Sequence, residues 1–199
     1  DAAKHGPAMF DAHSSGEPAG QSWAYLPYGP FAELSDYLQH LEAQSQSRDP
    51  LFFAVCDNAS GDAVGLLSLL AIRPENGVAE VGQIIHTPRL RRTPGSTEAV
   101  LMLGRYLFEE LRYRRYEWKC NNANEASKAA ALRFGFQPEG VFRNHMVVKG
   151  ENRDSAWFGM TDGDWPVISR AMDAWLSPNN FDGDGQQRHT LTAVRAASS

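Results

Sequence analysis

NANEASKAAALRFGF, residues 122–136, decides the fold. It runs directly off a strand-like segment, Tyr113-Arg114-Arg115-Tyr116-Glu117-Trp118-Lys119-Cys120. Asn124 and Ser127 stand three apart at a helix start, an Ala-rich turn follows, and Gly135 stops the helix. Alanines and serines along a helix let a bulky ligand lie close against it. With two polar groups at the same end, the stretch predicts a slot for an elongated ligand beside the helix.

Short apolar runs alternate with helical patterns on either side. Ala2 to His13 reads as helical. Phe31 to Gln46 carries Leu34, Tyr37, Leu38 and Leu41 at helical spacing, after Pro30. Leu51 to Cys56 and Ala63 to Ile72 flank the turn residues 58–62 and form an antiparallel hairpin. Val78 to His86 is a third strand, with Glu80 and Gln83 among apolar neighbours. The loop Thr87 to Gly95 leads into a helix from Ser96 to Arg112. Then come the strand Arg115–Cys120, the helix Asn122–Phe134, and two strands, Val141–Val148 and Ser155–Met160. A last helix starts near Asp162 with Ile168, Met172, Trp175 and Leu176 as its stripe. The class is mixed α/β, with an antiparallel start and a strand–helix–strand crossover that brings in parallel pairing. One domain is expected over residues 1–185, with a flexible polar tail over 186–199.

At 199 residues the chain can bury a substantial core. A formal charge of −5 argues against nucleic acid or an anionic membrane as partner. No apolar run reaches about 18 residues, so no membrane span is expected and the location reads as cytoplasmic. Cys56 and Cys120 are too few for a disulfide framework or a zinc site, and both read as buried free thiols. No metal is expected. Of the aromatic residues, Trp23, Tyr25, Tyr28 and Phe31 read as core or as the wall of a pocket. Trp157, Phe158, Trp165 and Trp175 read as packing for the last helix.

The segment from Leu90 to Ala99 (LRRTPGSTEA) lies between a strand and a helix. Such a junction presents backbone N–H groups and the positive helix end to an anion. Arg91 and Arg92 add charge, and Gly95, Ser96 and Thr97 are small enough for a diphosphate to approach the backbone. The plainer alternative is an ordinary helix capped by Ser96 or Thr97, with two solvated arginines.

Together the two segments resemble the GNAT superfamily of acetyl-CoA-dependent N-acetyltransferases. The likeness is closest to the branch of the ribosomal-protein N-terminal acetyltransferases and covers about Leu51 to Met160. GVFR at Gly140–Arg143, KGENRDSAWF at Lys149–Phe158 and DWP at Asp164–Pro166 resemble an uncharacterised subgroup of that branch. The resemblance implies that Arg91, Arg92, Thr93, Gly95, Ser96 and Thr97 bind the coenzyme A pyrophosphate. Pro94 departs from the usual glycine and lacks an N–H. It implies too that Val78–His86 splays from Arg115–Cys120, leaving its backbone near Ile84, Ile85 and His86 to pair with the pantetheine arm. Asn124 would meet the pantetheine end, and Ser127 the thioester sulfur. A first strand before the opening helix is usual in the family; whether one lies upstream of Asp1 is open, and a homodimer is common among relatives.

An amine acceptor, either a small molecule or a peptide N-terminus, must lose a proton as it attacks, and the leaving thiolate must gain one. Ser127 is the candidate acid, because the Tyr that many relatives use further along this helix is replaced by Ala131. Candidate bases are Glu80 on the central strand, His86 at its end, and His145 on a strand that faces the acceptor in relatives. Glu139 and Arg143 read as structural, with a hydrogen-bonded ion pair between strands as the simplest account. A GNAT-fold module that binds acyl-CoA without turnover is the alternative, and transfer of a longer acyl group is a third reading.

Overall fold

The computed structural model describes residues 1–14 and 21–198. Helices α1 (Ala2–Ser14) and α2 (Leu34–Ser45) precede the hairpin β1 (Leu51–Cys56) and β2 (Ala63–Arg73). Strand β3 (Val78–His86) leads into α3 (Pro94–Arg105), which runs on through a wider turn at Tyr106–Glu110. Next come β4 (Arg115–Asn121), α4 (Glu125–Phe134), the hairpin β5 (Gln137–Val148) and β6 (Glu151–Thr161), then α5 (Trp165–Leu176) and α6 (Leu191–Ala197). The six strands form one sheet in the order β1-β2-β3-β4-β6-β5. Every neighbouring pair is antiparallel except β3 and β4, which the α3 crossover makes parallel.

Strand alternation sorts the side chains onto two faces. On one, Leu67, Leu69, Ala79, Val81, Tyr116, Trp118, Phe158 and Met160 pack under Val100, Phe134, Ile168, Met172 and Trp175 of the following helices. On the other, Ala63, Leu66 and Ile85 pack under Met9, Tyr37 and Leu41 of α1 and α2. Trp23 joins this second core, whereas Tyr25 is exposed.

Tyr116 sits at the centre of the larger core, fully buried against Phe108 and Phe136. Its hydroxyl has no hydrogen-bond partner among the described residues. A buried hydroxyl with no partner carries an uncompensated desolvation cost. Tyr116→Phe is therefore expected to raise stability by about 1 kcal/mol, or roughly 2–4 °C in Tm. Urea denaturation with an unchanged m-value checks this, and a loss of stability refutes it.

Several expectations need correction. Helix α3 begins at Pro94, not Ser96: Pro occupies its first turn and Thr93 is the cap position. The polar stretch after Ser177 is not a loose tail. All of residues 186–199 but the last are described, and α6 lies within them with Leu191 buried. Arg195 donates to the carbonyls of Arg133 and Leu132 at the end of α4. Cys56 is exposed, and only Cys120 is a buried thiol. Trp157 faces away from α5, on the opposite side of β6 from Phe158. Glu139 does form an ion pair between strands, with Arg115 of β4 at 2.7 and 2.5 Å. No described helix is long and apolar enough to cross a membrane.

Candidate active site

The parallel ladder between β3 and β4 holds only from Val78 opposite Arg115 to Val81 opposite Trp118. Beyond that point each strand keeps its outer partner: β3 pairs with β2 as far as His86, and β4 with β6 as far as Asn121. The register between β2 and β3 slips just past Gly82, where Gln83 takes φ +49°. An extra residue of this kind bends a strand away from its neighbour. The inner edges of β3 and β4 therefore diverge with their backbone groups unpaired to one another.

Two helix N-termini stand at the open end of this wedge, because α3 follows β3 and α4 follows β4. Asn124 caps α4, its Oδ1 accepting from the Ser127 N–H at 3.0 Å. Gly135 closes the helix at φ +99°, a conformation that favours glycine. Ser127 Oγ accepts from Trp118 Nε1 at 3.0 Å, and its hydroxyl also faces the Cys120 sulfur, partly offsetting the upward push of burial on that thiol. At the start of α3, Thr93 and Ser96 spend their hydroxyls on the carbonyls of Leu90 and Thr93. Thr97 is fully buried and accepts from Arg133. What this loop offers an anion is thus backbone N–H groups and the exposed arginines, with Arg91 anchored to the His86 carbonyl at 3.0 Å and Arg92 at φ +61°. Ile84 is half-buried over the larger core, and Ile85 is buried in the smaller one.

The three candidate bases are not brought together. His86 lies against Gly65 with Nε2 unpartnered among the described residues, and burial pushes its pKa down to about 4. A neutral imidazole so reluctant to accept a proton is a poor base near pH 7. His145 is exposed on β5, with Nδ1 2.9 Å from Ser155 Oγ and its ring beside Phe142 and Trp157. Glu80 is buried on β3, on the face that turns away from α3 and α4. Three inter-strand steps separate β3 from β5, so Glu80 and His145 do not touch; the Trp157 ring, with Lys119 on its face at 3.9 Å and the His145 ring 5.9 Å away, stands between them.

Glu80 sits in a network that crosses the sheet. Its Oε2 is 2.8 Å from Lys119 Nζ, which also lies 3.2 Å from Glu117 Oε2 and 3.9 Å from the centre of the Trp157 ring. Glu117 further receives Arg73 at 3.1 Å and Arg115 at 2.8 Å. Burial raises the Glu80 carboxyl above the usual range, and Lys119 offsets only part of that. For Glu117 burial also acts upward, but Arg115 and Lys119 together bring the carboxyl below its ordinary value. Lys119, Glu117 and Trp157 were missed by the sequence reading. Strict alternation along Arg115–Cys120 puts Arg115, Glu117 and Lys119 on one face and was the available signal.

The segment after residue 20 crosses the open end of the wedge. Tyr25 donates to the Ala123 carbonyl at 3.3 Å, and Lys149 from the β5–β6 turn donates to the Trp23 carbonyl at 2.9 Å. The molecule thus presents a wedge between parallel strands, two helix N-termini at its mouth, and a carboxylate beside its apex.

The model of the acetyltransferase (GNAT) domain matches residues 5–137. The chain belongs to the GNAT acetyltransferase family. A GCN5-related N-acetyltransferase from Brucella melitensis is 49% identical and superposes with a TM-score of 0.95, over 98% of this chain and 88% of that one. A GNAT-family protein from Chromobacterium violaceum is 42% identical, with a TM-score of 0.77 over 83% and 82%. The "Putative ribosomal N-acetyltransferase YdaF" of Bacillus subtilis is 30% identical over 105 residues, 53% of this chain. The matched stretch spans little more than half of that relative, 57% of its length. In this GNAT chain the mixed six-stranded sheet flanked by helices is the family's fold, and acetyl transfer is its general activity.

Proposed function

We propose that this chain is an acetyl-CoA-dependent N-acetyltransferase that passes the acetyl group directly to a primary amine while both are bound. The observation that carries this reading is the ladder that stops at Val81 and Trp118, leaving two strand edges unpaired between two helix N-termini. A flexible arm with amide groups fits that wedge, since each exposed strand edge offers it N–H and C=O groups. First-turn N–H groups of α3 at Gly95 and Thr97, with Arg91 and Arg92, suit the diphosphate, while the Ser96 N–H is held by the Thr93 carbonyl at 3.2 Å. Pro94 contributes no N–H there. Bound in this way, acetyl-CoA supplies an acetyl thioester open to attack.

The chain's own groups do the rest. A backbone N–H near Ile84 or Ile85 donates to the carbonyl oxygen as charge develops. Glu80 takes the proton that the ammonium must lose, and Ser127 Oγ returns one at the sulfur. Asn124 orients Ser127 through its cap. The acceptor is a small-molecule amine or a peptide N-terminus, met on the Glu80 face of the sheet, and a cytoplasmic setting suits these substrates.

Acetyl-CoA at 100 times its Kd is expected to stabilise the fold by about 2.7 kcal/mol, a Tm rise of roughly 5–10 °C. A thermal scan with acetyl-CoA and with CoA checks this, and no shift with either removes the reading. Thiol release from acetyl-CoA in the presence of a panel of amines separates an enzyme from a module that only binds; any release eliminates the latter.

A further inference from the structure

Lys119 stands one residue past the last β3–β4 pair, at the apex of the wedge. Lysine is rarely buried unless paired, yet only 13% of this side chain is exposed. Its ammonium has three neighbours: Glu80 Oε2, Glu117 Oε2 and the face of Trp157. The two carboxylates depend on it unequally. Glu117 holds two arginines besides, whereas among the described residues Lys119 is the only group that bonds Glu80.

The geometry at Glu80 is directional. With Oε2 on Lys119, Oε1 lies 3.5 Å from where a Cβ would stand on Gly82, and no described residue donates to it. Gly82 is the residue after which β3 bulges away from β4, so Oε1 points along the strand toward the opening. One oxygen is clamped and the other is offered.

We propose that Lys119 is a positioning residue for acetyl transfer: it clamps Oε2 of Glu80 so that Oε1 meets the acceptor ammonium, and it supplies the countercharge that lets this carboxylate ionise. The proposal rests on the reading that Glu80 takes the acceptor's proton. Lys119 acts through Glu80 and touches neither substrate. The remaining charges that Glu80 feels are Glu117 from β4, which opposes ionisation, and Arg153 from β6, which favours it. Both stay in place when Lys119 alone is changed. Trp157 supports the ammonium from β6, so a longer cation can occupy the same seat, and arginine stacks on aromatic faces at least as readily as lysine.

The test uses the full chain labelled with 13C at the glutamate side-chain carboxyl, the Glu80 signal being the one lost in Glu80→Gln. Its titration is compared between the natural protein, Lys119→Met and Lys119→Arg. Thiol release from acetyl-CoA is followed against pH with spermidine, phenethylamine and an N-terminally free tripeptide. In Lys119→Met the Glu80 midpoint is expected to rise by about one pH unit or more, and the ascending limb of kcat/KM to rise with it. Lys119→Arg is expected to restore both. If Lys119→Met does not fold, Lys119→Gln carries the same comparison. An unmoved Glu80 midpoint overturns the proposal, as does a uniform loss of rate with an unmoved limb. Full turnover by Glu80→Gln strikes instead at the proton-transfer reading beneath it. An inactive Glu80→Gln beside an unmoved Lys119→Met profile strikes at Lys119 alone.

Discussion

Glu80→Gln lowers kcat for acetyl transfer by about 10²–10⁴-fold, a cost of roughly 3–5.5 kcal/mol in the barrier, while the Tm shift with acetyl-CoA persists. The substitution keeps shape and hydrogen bonding but removes the ability to accept a proton. Folding survives because Lys119 retains Glu117 as its partner, so no buried ammonium is left without a countercharge. Binding survives because Glu80 lies on the face of the sheet away from the two helix N-termini. The pH profile carries a second signature. Burial holds the Glu80 carboxyl above the ordinary glutamate range, so kcat/KM climbs with pH through a limb displaced upward, and Glu80→Gln loses that limb. His145, three strands away, and His86, held neutral by burial, cannot take over this proton without a different acceptor pose. A Glu80→Gln enzyme within a few-fold of full turnover would move the search to His145.

What could be read beforehand divides along the range of the interactions involved. The helix at Glu125–Phe134 was legible because its signals are local: an Asn at the cap and a Gly in the left-handed position. The start of α3 was misplaced by two residues because Ser96 and Thr97 look like caps. In the structure Ser96 bonds back to Thr93 while Thr97 is bonded by Arg133 of α4, and Pro94 sets the first turn. Helix α6 was missed for a different reason. Its apolar content toward the core is little more than Leu191 and Val194, and the bonds of Arg195 reach α4 some sixty residues earlier.

The same limit applies to the site. Glu80 was legible as a carboxylate on a central strand, but its partner was not, since the register of two parallel strands is set by tertiary packing around a crossover and not by local sequence. Once Glu80 lies opposite Glu117, Lys119 has to fall between two carboxylates. Trp157 was hidden in a run, Ala156 to Met160, whose hydrophobic content masks the alternation that sends it to the other face.

Lowering the pH from about 6.5 toward 4 is expected to remove about 4–6 kcal/mol of folding stability, close to the whole margin of a marginal domain. The main cause is a pair of imidazoles, with His40 and His5, also lowered by burial, acting in the same direction. His86 and His13 each have pKa values pushed down to about 4, by burial in both cases and for His13 also by the nearby Arg91. Neither His13 nitrogen nor His86 Nε2 has a partner among the described residues. In the unfolded chain both titrate near 6.5, so below that pH the unfolded state binds protons that the folded state refuses. The stability they contribute is complete above about 6.5 and drains away as pH falls to the folded value. A gap of about 2.5 units corresponds to about 3.4 kcal/mol per group, reduced to about 2–3 for rings that are not wholly enclosed. Glu117 adds a loss at lower pH, since its depressed carboxyl must be protonated there, whereas the raised carboxyl of Glu80 acts in the opposite sense. Urea titrations at pH 7, 6 and 5 measure the slope, and His86→Gln should remove about half of it. A stability flat between pH 7 and 5, or a slope untouched by His86→Gln, would refute the assignment. Arg91 ties the two imidazoles into one corner, anchored to the His86 carbonyl and felt by His13. Acid therefore loosens the junction between β3 and α3 first, and affinity for acetyl-CoA should fall before the fold does.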